Sequence, residues 1–514
     1  MATETGYVTD LEYIPGFYPH MAPVEISYCA ALNGAKHPDP TKPYSYLELG
    51  CGLGRVFMTL AAANPQSRFV GVDFNATHIE RAAAEIKTSG LQNATAIAAD
   101  IRELPNDLGK FDYIAVHGVL SWVPEEVQKA ILRAGQALLK PNGLLLVSYN
   151  ILPGWAPLMP MRQLMIEYTK DTNTAPLDKI ADALSYLEYI KNDAGYFKYN
   201  PVAVTHLNSL CTADPRYLVH EYLNECWTPF YFSDVHDRFR AHDMPFVGVM
   251  PPPKNYIDTV GSEKLRGLLE SAESRRTRET HKDYFVGDLF RWDIYTTKSN
   301  EPCSELAASA PLLENVRYKT KNKTADIIKV KINDVEVVLD KPEQRRVLAA
   351  CKNSQTQTEL EKDSPAKKET IEAIAACVSF GAIRMQVEKE EENTAAESRN
   401  AKYELCNKFN AVVCERDAFN GRQTALASTV EGTGIPITDI EAGFIWLLTT
   451  NGIDKILDKA ADELEKTKRV LQKNGQPVTS RKEIIYTLNH LYQAFTQKTL
   501  PRLIDGGVLT TKGN

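Results

Sequence analysis

The sequence has few of the features that mark secreted, membrane-spanning or metal-binding proteins. None of its nine cysteines forms a Cys-x-x-Cys pair, so the sequence predicts neither a disulfide framework nor a metal site. We expect the cysteines to be free thiols in a reducing compartment. No apolar run approaches the ~20 residues that cross a bilayer. The first ten residues carry no basic segment followed by an apolar one. We therefore expect no signal peptide and a cytoplasmic location.

The chain also lacks an excess of positive charge. It has 59 Lys and Arg against 66 Asp and Glu, a net charge of −7. Nucleic-acid-binding proteins usually carry a broad basic surface, so we expect no nucleic acid among the partners. With 43% hydrophobic and 24% charged residues, the composition is that of an ordinary globular protein. At roughly 150 residues per domain, 514 residues predict about three domains.

Strands and helices alternate regularly in the first part of the chain. β-rich runs separated by helical segments predict βαβ units and a doubly wound α/β fold with a parallel sheet. Two later runs, 246–249 and 291–295, predict an antiparallel edge of the same sheet, and 263–282 predicts one charged helix between them. The predicted strands of the parallel part are 44–49, 68–73, 94–99, 111–116 and 144–149, and the predicted helices are 55–63, 76–87 and 125–139.

The composition changes twice more along the chain. Residues 156–230 are rich in Tyr and Leu with helical spacing, which indicates a helical insertion into a first domain of residues 1–300. Helices at 342–351 and 366–378, a turn at Gly381 and a strand at 382–387 predict a winged-helix-like domain over 310–400. The remainder, 401–514, is predicted to be a helical domain. A winged helix can bind DNA, but on an acidic chain it is more often a docking module.

The most informative motif is a glycine loop between the first strand and the first helix, Leu47-Glu48-Leu49-Gly50-Cys51-Gly52-Leu53-Gly54. Glycines allow a tight turn and a close approach of backbone to ligand. The dinucleotide pattern G-x-G-x-x-G would need a glycine where Arg55 stands. The form acidic-x-G-x-G-x-G is typical of sites for S-adenosylmethionine, a ligand without pyrophosphate. The motif therefore favours a methyltransferase over a dinucleotide-binding enzyme.

Further candidate residues follow the next three strands. Ligands of open α/β sheets bind at the carboxyl ends of the strands, where these residues are expected to meet. We expect Asp73 to accept the ribose hydroxyls, Asp100 and Ile101 to contact the adenine, and His117 to face the crevice. The predicted cofactor-binding residues are Glu48, Gly50, Cys51, Gly52, Gly54, Asp73, Phe74, Asp100, Ile101 and His117.

Beside the glycine loop, several longer segments carry a family resemblance over about residues 7–300. They are Tyr13-Ile-Pro-Gly-Phe-Tyr-Pro-His20, residues 111–124, 142–150 and 153–155, His220-Glu-Tyr-Leu-Asn-Glu225 and Pro229-Phe-Tyr-Phe232. With these segments the sequence resembles the class I S-adenosylmethionine-dependent methyltransferases that carry a methyltransferase regulatory domain, a group that includes bacterial protein lysine methyltransferases. The resemblance implies a Rossmann-like methyltransferase sheet, S-adenosylmethionine as cofactor, S-adenosylhomocysteine as product, and a protein lysine as acceptor.

A lysine acceptor would require aromatic walls and a group that takes up its proton. Burial among apolar walls favours the neutral amine. We expect the walls among Tyr7, Tyr13, Tyr18, Trp122, Tyr149 and Trp155, and a tyrosine or His20 as proton acceptor. Residues 7–28 are expected to close over the cofactor. The predicted catalytic residues are Tyr18, His20, Trp122 and Tyr149.

Two other functions remain open at the level of sequence. One is methylation of a small molecule or a glycan, and the other is a regulatory protein that binds S-adenosylmethionine without turnover. The fourth strand lacks the Asn/Asp-Pro-Pro-aromatic motif, which makes base and glutamine methylation less favoured. The large C-terminal half favours a macromolecular acceptor, because a small substrate needs only a pocket.

Overall fold

The computed structural model describes residues 16–224, 226–302, 312–321, 328–332, 335–362, 364, 366–389, 402–450, 452, 454–473 and 476–512. Its centre is a seven-stranded sheet in the order β3-β2-β1-β4-β5-β7-β6. The first elements are α1 (Pro23–Leu32), β1 (Ser45–Leu49), α2 (Arg55–Ala63), β2 (Arg68–Asp73), α3 (Ala76–Ser89), β3 (Ala94–Ala98), β4 (Phe111–Val116), α4 (Glu125–Leu138) and β5 (Leu139–Asn150).

The strands β1 to β5 run parallel, as the alternation of strands and helices predicts. Helices cover both faces of such a sheet, so its central strands are apolar along their whole length rather than alternating. Every residue of β1 is buried, and β4 is buried except at Asp112. The predicted Rossmann-like α/β fold is confirmed.

A layer of five helices follows β5 and has a hydrophobic core of its own, which includes Leu187, Leu207 and Leu218. Three of these helices begin with proline, whose fixed φ suits the first turn and whose missing N–H has no partner to lose there. The helices are α5 (Met159–Thr169), α6 (Pro176–Ile190), α7 (Gly195–Lys198), α8 (Pro201–Leu210) and α9 (Pro215–Tyr222).

The sheet is completed by two later strands. They lie within the series α10 (Phe232–Ala241), β6 (Phe246–Met250), α11 (Glu263–Glu270), α12 (Arg275–Val286) and β7 (Phe290–Thr296). Strand β7 is antiparallel to both β5 and β6, which confirms the predicted antiparallel edge. The single helix predicted over 263–282 is wrong, because the Ser274 side chain accepts from the Thr277 N–H and starts a second helix.

A cluster of buried charges joins β7 to α12. Arg291 is only 2% exposed. Its guanidinium pairs with Glu279 at 2.6 Å, Asp283 at 2.7 Å and Asp293 at 2.6 Å, and Lys282 pairs with Glu279 at 2.6 Å. Burial opposes the charge on each group, while the mutual attraction favours it. For Glu279 the attraction of Lys282 and Arg291 prevails over desolvation and lowers its pKa to about 2, whereas burial raises the pKa of Asp283 to about 6.

The next segment combines short strands with three helices. Strands β11, β8 and β12 form a three-stranded sheet, and β9 pairs with β10 as a separate antiparallel ribbon. The predicted winged-helix-like domain stays a prediction. The elements are β8 (Arg317–Thr320), β9 (Ile328–Ile332), β10 (Val335–Leu339), α13 (Pro342–Ala350), β11 (Gln355–Thr356), α14 (Gln357–Lys362), α15 (Lys367–Ser379) and β12 (Ile383–Gln386).

The described residues between 402 and 512 are called the C-terminal module below. Most of its buried hydrophobic residues belong to the same hydrophobic core as α1 and α2, so the module packs directly on the sheet domain. Its elements are β13 (Lys402–Leu405), α16 (Lys408–Asp417), β14 (Thr424–Ser428), β15 (Thr433–Ile437), α17 (Asp439–Thr450), α18 (Ile456–Thr467), β16 (Gln472–Lys473), β17 (Gln476–Pro477), α19 (Arg481–Ala494), a π-helical turn (Phe495–Thr499), α20 (Leu500–Asp505) and β18 (Leu509–Lys512).

None of the helices in the described ranges combines the length and the apolarity that a bilayer crossing requires.

Candidate functional site

A cavity of about 650 Å³ opens at the carboxyl ends of the parallel strands, where this sheet type binds ligands. Residues of the glycine loop line one end of the cavity, and residues of the helical layer line the other end. Its lining includes Tyr18, Glu48, Gly50, Cys51, Gly52, Asp73, Phe74, Asp100, Ile101, His117, Trp122, Trp155, His206, Tyr217, His220, Glu221, Tyr222 and Phe290.

The glycine loop turns sharply out of β1. The Gly50 and Cys51 N–H groups both donate to the Val72 carbonyl, at 2.8 and 3.1 Å, so the loop is tied to β2. Gly52 has φ of +52°, and a Cβ at this position would meet no atom within 4 Å. The space beside Gly52 is therefore part of the cavity, and a ligand can approach the backbone closely there.

Asp73 at the end of β2 holds the loop from the other side. One carboxylate oxygen accepts from the Gly52 N–H at 2.8 Å and the other accepts from the Asn75 N–H at 2.9 Å. Each carboxylate oxygen can accept more than one hydrogen bond. Asp73 therefore shapes the loop and keeps acceptor capacity toward the cavity.

Glu48 is a buried carboxyl at the base of the same loop. It is 5% exposed, and within the described chain its Oε2 has no hydrogen-bond partner. Burial raises its pKa to about 8, although the Phe57 backbone N–H that bonds the carboxyl opposes this shift. A buried acceptor without a partner is costly and therefore points to a ligand that donates a hydrogen bond.

The edge of the cavity is formed by residues that follow β2 and β3. Asp100 caps the short helix Ile101–Glu103, accepts from the Arg102 N–H at 2.8 Å and pairs with its guanidinium at 2.6 Å. Arg102 holds the pKa of Asp100 below its usual range. Phe74 is 49% exposed, an uncommon position for a phenylalanine ring that lines a cavity. An exposed apolar surface at such an edge suits a flat, partly apolar ligand group.

His117 lines the cavity and lies at the centre of an aromatic group. Its ring stacks on Trp292 at a centroid distance of 4.1 Å, and the Tyr18 ring meets it edge-on at 4.1 Å. His117 Nδ1 lies 2.8 Å from Ser148 Oγ, which also accepts from the Gly118 N–H. Desolvation, with a contribution from His20, lowers the pKa of His117 to about 3. His117 is therefore neutral across the physiological range.

The far end of the cavity has aromatic walls and one carboxylate. Trp155 packs edge-on against Trp227 at 4.9 Å, and His206 Nε2 lies 2.6 Å from the Tyr222 hydroxyl. Glu221 lines the cavity together with Trp155, His206 and Tyr222. After burial, its negative charge is the main cause that raises the pKa values of Tyr18 and Tyr217. This end can accommodate a side chain with an apolar stem and a positive tip.

The structure brings most of the sequence-predicted residues to the cavity. All of the predicted cofactor-binding residues line it except Gly54, which caps α2 just below the loop. Tyr18 and Trp122 line it as well. Their functional roles stay predictions. Tyr7 and Tyr13 lie outside the described residues.

Two predicted catalytic residues lie elsewhere. Tyr149 is 1% exposed and packs in the core below the sheet, where its hydroxyl donates to Asp293 at 2.5 Å. The structure therefore does not bring Tyr149 to the other predicted site residues, and its catalytic role stays a prediction. His20 packs edge-on against Trp292 at 5.8 Å, outside the cavity lining. Burial, with a smaller contribution from Lys254, lowers the pKa of His20.

Several residues of the cavity were missed by sequence reasoning. Glu221, Tyr217 and His206 come from the helical layer, and Phe290 comes from the start of β7. The sequence signal for these residues is weak: Glu221 stands among aromatic residues in one of the segments that carry the family resemblance. Burial raises the pKa of Cys51 well above its usual range, which disfavours the thiolate that a nucleophilic cysteine requires. Among the described residues, no cluster of His, Cys, Asp and Glu is arranged to hold a metal ion.

Comparison with known proteins gives a consistent result. A family model described as "Methyltransferase domain" matches residues 47–145, and another, "Predicted methyltransferase regulatory domain", matches residues 214–297. The uncharacterized protein sll1526 of Synechocystis sp. is 30% identical over 538 residues, which span 99% of this chain and 100% of that protein. The uncharacterized protein RP028 of Rickettsia prowazekii is 34% identical over 240 residues, 46% of this chain and 94% of that protein.

Among solved structures, PKMT2 from Rickettsia typhi in complex with AdoHcy aligns over 97% of this chain and 99% of its own. The TM-score is 0.71 and the sequence identity 21%, so this likeness establishes the shared fold. The fold and the glycine-loop cavity define a class I methyltransferase. The chain belongs to the S-adenosylmethionine-dependent methyltransferases that carry a methyltransferase regulatory domain. The cofactor of this family is S-adenosylmethionine, and its product is S-adenosylhomocysteine.

Proposed function

We propose that this protein transfers methyl groups from S-adenosylmethionine to lysine side chains of a protein. The observation that carries the proposal is the second end of the cavity, which Glu221 lines together with Tyr217, Trp155 and other rings. A lysine side chain combines a long apolar stem with a compact ammonium group. Aromatic faces attract that cation, and a carboxylate attracts it further.

The residues at the loop end fit the cofactor. The unpartnered Glu48 Oε2 and the open space beside Gly52 are the two features that a ligand would complete. Glu48 would accept from the amino group, Asp73 would accept from the ribose hydroxyls, and Ile101 with Phe74 would pack on the adenine. When bound, S-adenosylmethionine supplies an electrophilic methyl group on a sulfonium sulfur.

The acceptor end would prepare the amine. Glu221 draws the ammonium into the cavity and takes up its proton, so that the amine nitrogen can attack with a free electron pair. Tyr18 lines the same cavity as Glu48 and Glu221, and after burial the charges of these two carboxylates raise its pKa. Trp122 and Tyr18 would exclude water and hold the nitrogen in line with the transferring methyl group, within ~3–3.5 Å.

A solved structure with the same fold supports this acceptor class. The structural neighbour is named PKMT2 and was solved with AdoHcy, and its fold matches this chain almost end to end. The two proteins therefore also share the elements beyond the sheet domain. A small-molecule methyltransferase does not need these elements.

The experiment that tests the proposal supplies methyl-labelled S-adenosylmethionine and the full-length protein to a cell extract. The extract is then separated into protein and small-molecule fractions. We expect base-stable label in acid-precipitable protein, and amino-acid analysis should recover it as methyllysine. Asp73→Ala removes a carboxylate from the cofactor end of the cavity and should therefore abolish labelling.

Glu221→Gln tests the acceptor end and should lower the labelling rate by about 10²-fold while S-adenosylhomocysteine binding stays unchanged. Glu167→Gln, an exposed carboxylate on the same helical layer, is the matched control and should label like the wild type. Label in the small-molecule fraction alone would overturn the lysine assignment. Binding of S-adenosylhomocysteine without any label transfer would indicate a regulatory protein instead.

A further inference from the structure

The C-terminal module is attached to the helix that directly follows the glycine loop. The Asn64 amide at the end of α2 donates to the Gly432 carbonyl at 3.1 Å. At the start of α2, Arg55 pairs with Glu85 at 2.9 Å, and Glu85 also pairs with Arg416 of the module. Because Arg55 itself lines the cavity, the module is linked to the loop end of the site by one intervening carboxylate.

A second link runs through the segment that carries Tyr18. The Phe17 ring covers Gly434 of β15 so closely that a Cβ at this glycine would lie 2.8 Å from two ring atoms. Tyr18 has extended backbone, with φ of −117° and ψ of 101°. In an extended chain, neighbouring side chains point to opposite sides. Phe17 thus points into the module, and Tyr18 points into the cavity against His117.

The Tyr18 ring has little freedom of its own on this segment. It folds back over Gly16, and a Cβ at Gly16 would lie 3.1 Å from the Tyr18 hydroxyl oxygen. On the other side the ring meets His117 and, at 5.8 Å, Trp292. The position of Tyr18 therefore depends on how the chain is anchored on its two sides. The buried Met21, whose N–H donates to the Tyr18 carbonyl at 3.0 Å, holds the following side, and Phe17 holds the side of the module.

We propose that the C-terminal module is a working part of the methyl-transfer site, because it seats Phe17 on Gly434 and thereby fixes Tyr18 against His117. Phe17 and Gly434 are positioning residues, and Tyr18 is the residue they position. The inference rests on the proposed function for its kinetic consequence, but the placement of Tyr18 is independent of which acceptor is methylated.

The first test measures placement directly. 3-Fluorotyrosine is incorporated at position 18 of the full-length protein, and its ¹⁹F resonance reports the ring environment beside His117. Phe17→Ala should move the resonance toward that of a solvent-exposed tyrosine, and Phe17→Leu should restore it in part. Asn64→Ala weakens the same interface without touching residues 16–18, and it should leave the resonance in place. An unchanged resonance in Phe17→Ala would overturn the proposal.

The second test is a double-mutant cycle on methyl transfer and on S-adenosylhomocysteine affinity. Phe17→Ala should lower kcat by about 10²-fold, the effect of a misplaced group, while the affinity changes by no more than about 3-fold. In a Tyr18→Ala background, Phe17→Ala should cause no further loss. Losses that multiply would mean that Phe17 acts independently of Tyr18 and would also overturn the proposal. If the wild type labels no protein, the proposed function fails, while the ¹⁹F result still decides the positioning.

Discussion

Replacing Glu48 with glutamine should stabilise the ligand-free protein by an amount that grows with pH. The unfolded chain loses the Glu48 proton near its usual pKa of 4.5, whereas burial keeps that proton on the folded protein up to about pH 8. A raised pKa contributes stability that is fully present below pH 4.5 and is lost as the pH rises through 8. At ~1.4 kcal/mol per pKa unit, the loss is about 3 kcal/mol at pH 7 and about 5 kcal/mol at pH 9.

Glutamine keeps the shape of the side chain and an acceptor for the Phe57 N–H, but it does not ionise. The free energy of unfolding of Glu48→Gln should therefore exceed that of the wild type by these amounts at pH 7 and pH 9, and by less than about 1 kcal/mol at pH 5. Urea titrations at the three pH values measure the difference, with the exposed Glu80→Gln as control. A difference that does not grow with pH would refute the argument from burial.

The same substitution should change the proton balance of cofactor binding. S-adenosylmethionine carries positive charge, and a nearby cation favours the ionised carboxylate. Binding near pH 7 should therefore release up to one proton from Glu48. Calorimetric titrations in two buffers of different ionisation enthalpy detect this release, and Glu48→Gln should abolish it. Equal proton release by both proteins would mean that the bound cation does not lie beside Glu48.

Three further substitutions test other parts of the structure. Arg291→Met removes the guanidinium that three buried carboxylates share and should lower the free energy of unfolding in urea by about 3–5 kcal/mol; a loss below about 1 kcal/mol would contradict the cluster. Tyr149→Phe should cost about 1–3 kcal/mol in the same assay, because Asp293 loses a donor, yet leave kcat unchanged; a large loss of kcat would support a catalytic role. Asp73→Ala frees the Gly52 N–H and should weaken S-adenosylhomocysteine binding in calorimetry, and unchanged affinity would disprove the site assignment.

The sheet domain was predictable because its signals are local. The first strands are short apolar runs, β1 followed by Gly50 and β2 ending at Asp73, and the helix over Glu125–Leu138 shows a clear periodicity. The loop end of the cavity follows from the same information, since residues at the ends of neighbouring parallel strands must meet. The antiparallel edge was predictable as well, because the runs around Val247 and Ile294 had no other apolar surface to join.

The acceptor end was not predictable in the same way. Glu221 and Tyr217 reach the cavity through the packing of a whole helical layer, which no local pattern specifies. Tyr149 illustrates the limits of a local reading. It follows Ser148 in β5, and adjacent strand residues face opposite sides of the sheet, so Ser148 reaches His117 while Tyr149 enters the other core.

The C-terminal module shows a different limit. The sequence suggested helices there, and α17, α18 and α19 are present, but the pair β14 and β15 was not predicted. Strands of five residues with Ala, Gly and Pro among them carry little β-propensity. They form because each pairs with the other and both pack on α2.

The bond between Asn64 and Gly432 joins residues that are 368 positions apart in the chain. A ribosome adding roughly 5–20 residues per second needs about 20–70 s to make the intervening segment. During that time the buried face of α2 has no cover from β14 and β15, although the last strand of the sheet is complete once Thr296 has been made. The nascent protein thus passes through a period in which its donor-binding half exists and an apolar helix face remains open. Substitutions that weaken the module should accordingly reduce the soluble yield of newly made protein more than they shorten the lifetime of the folded enzyme.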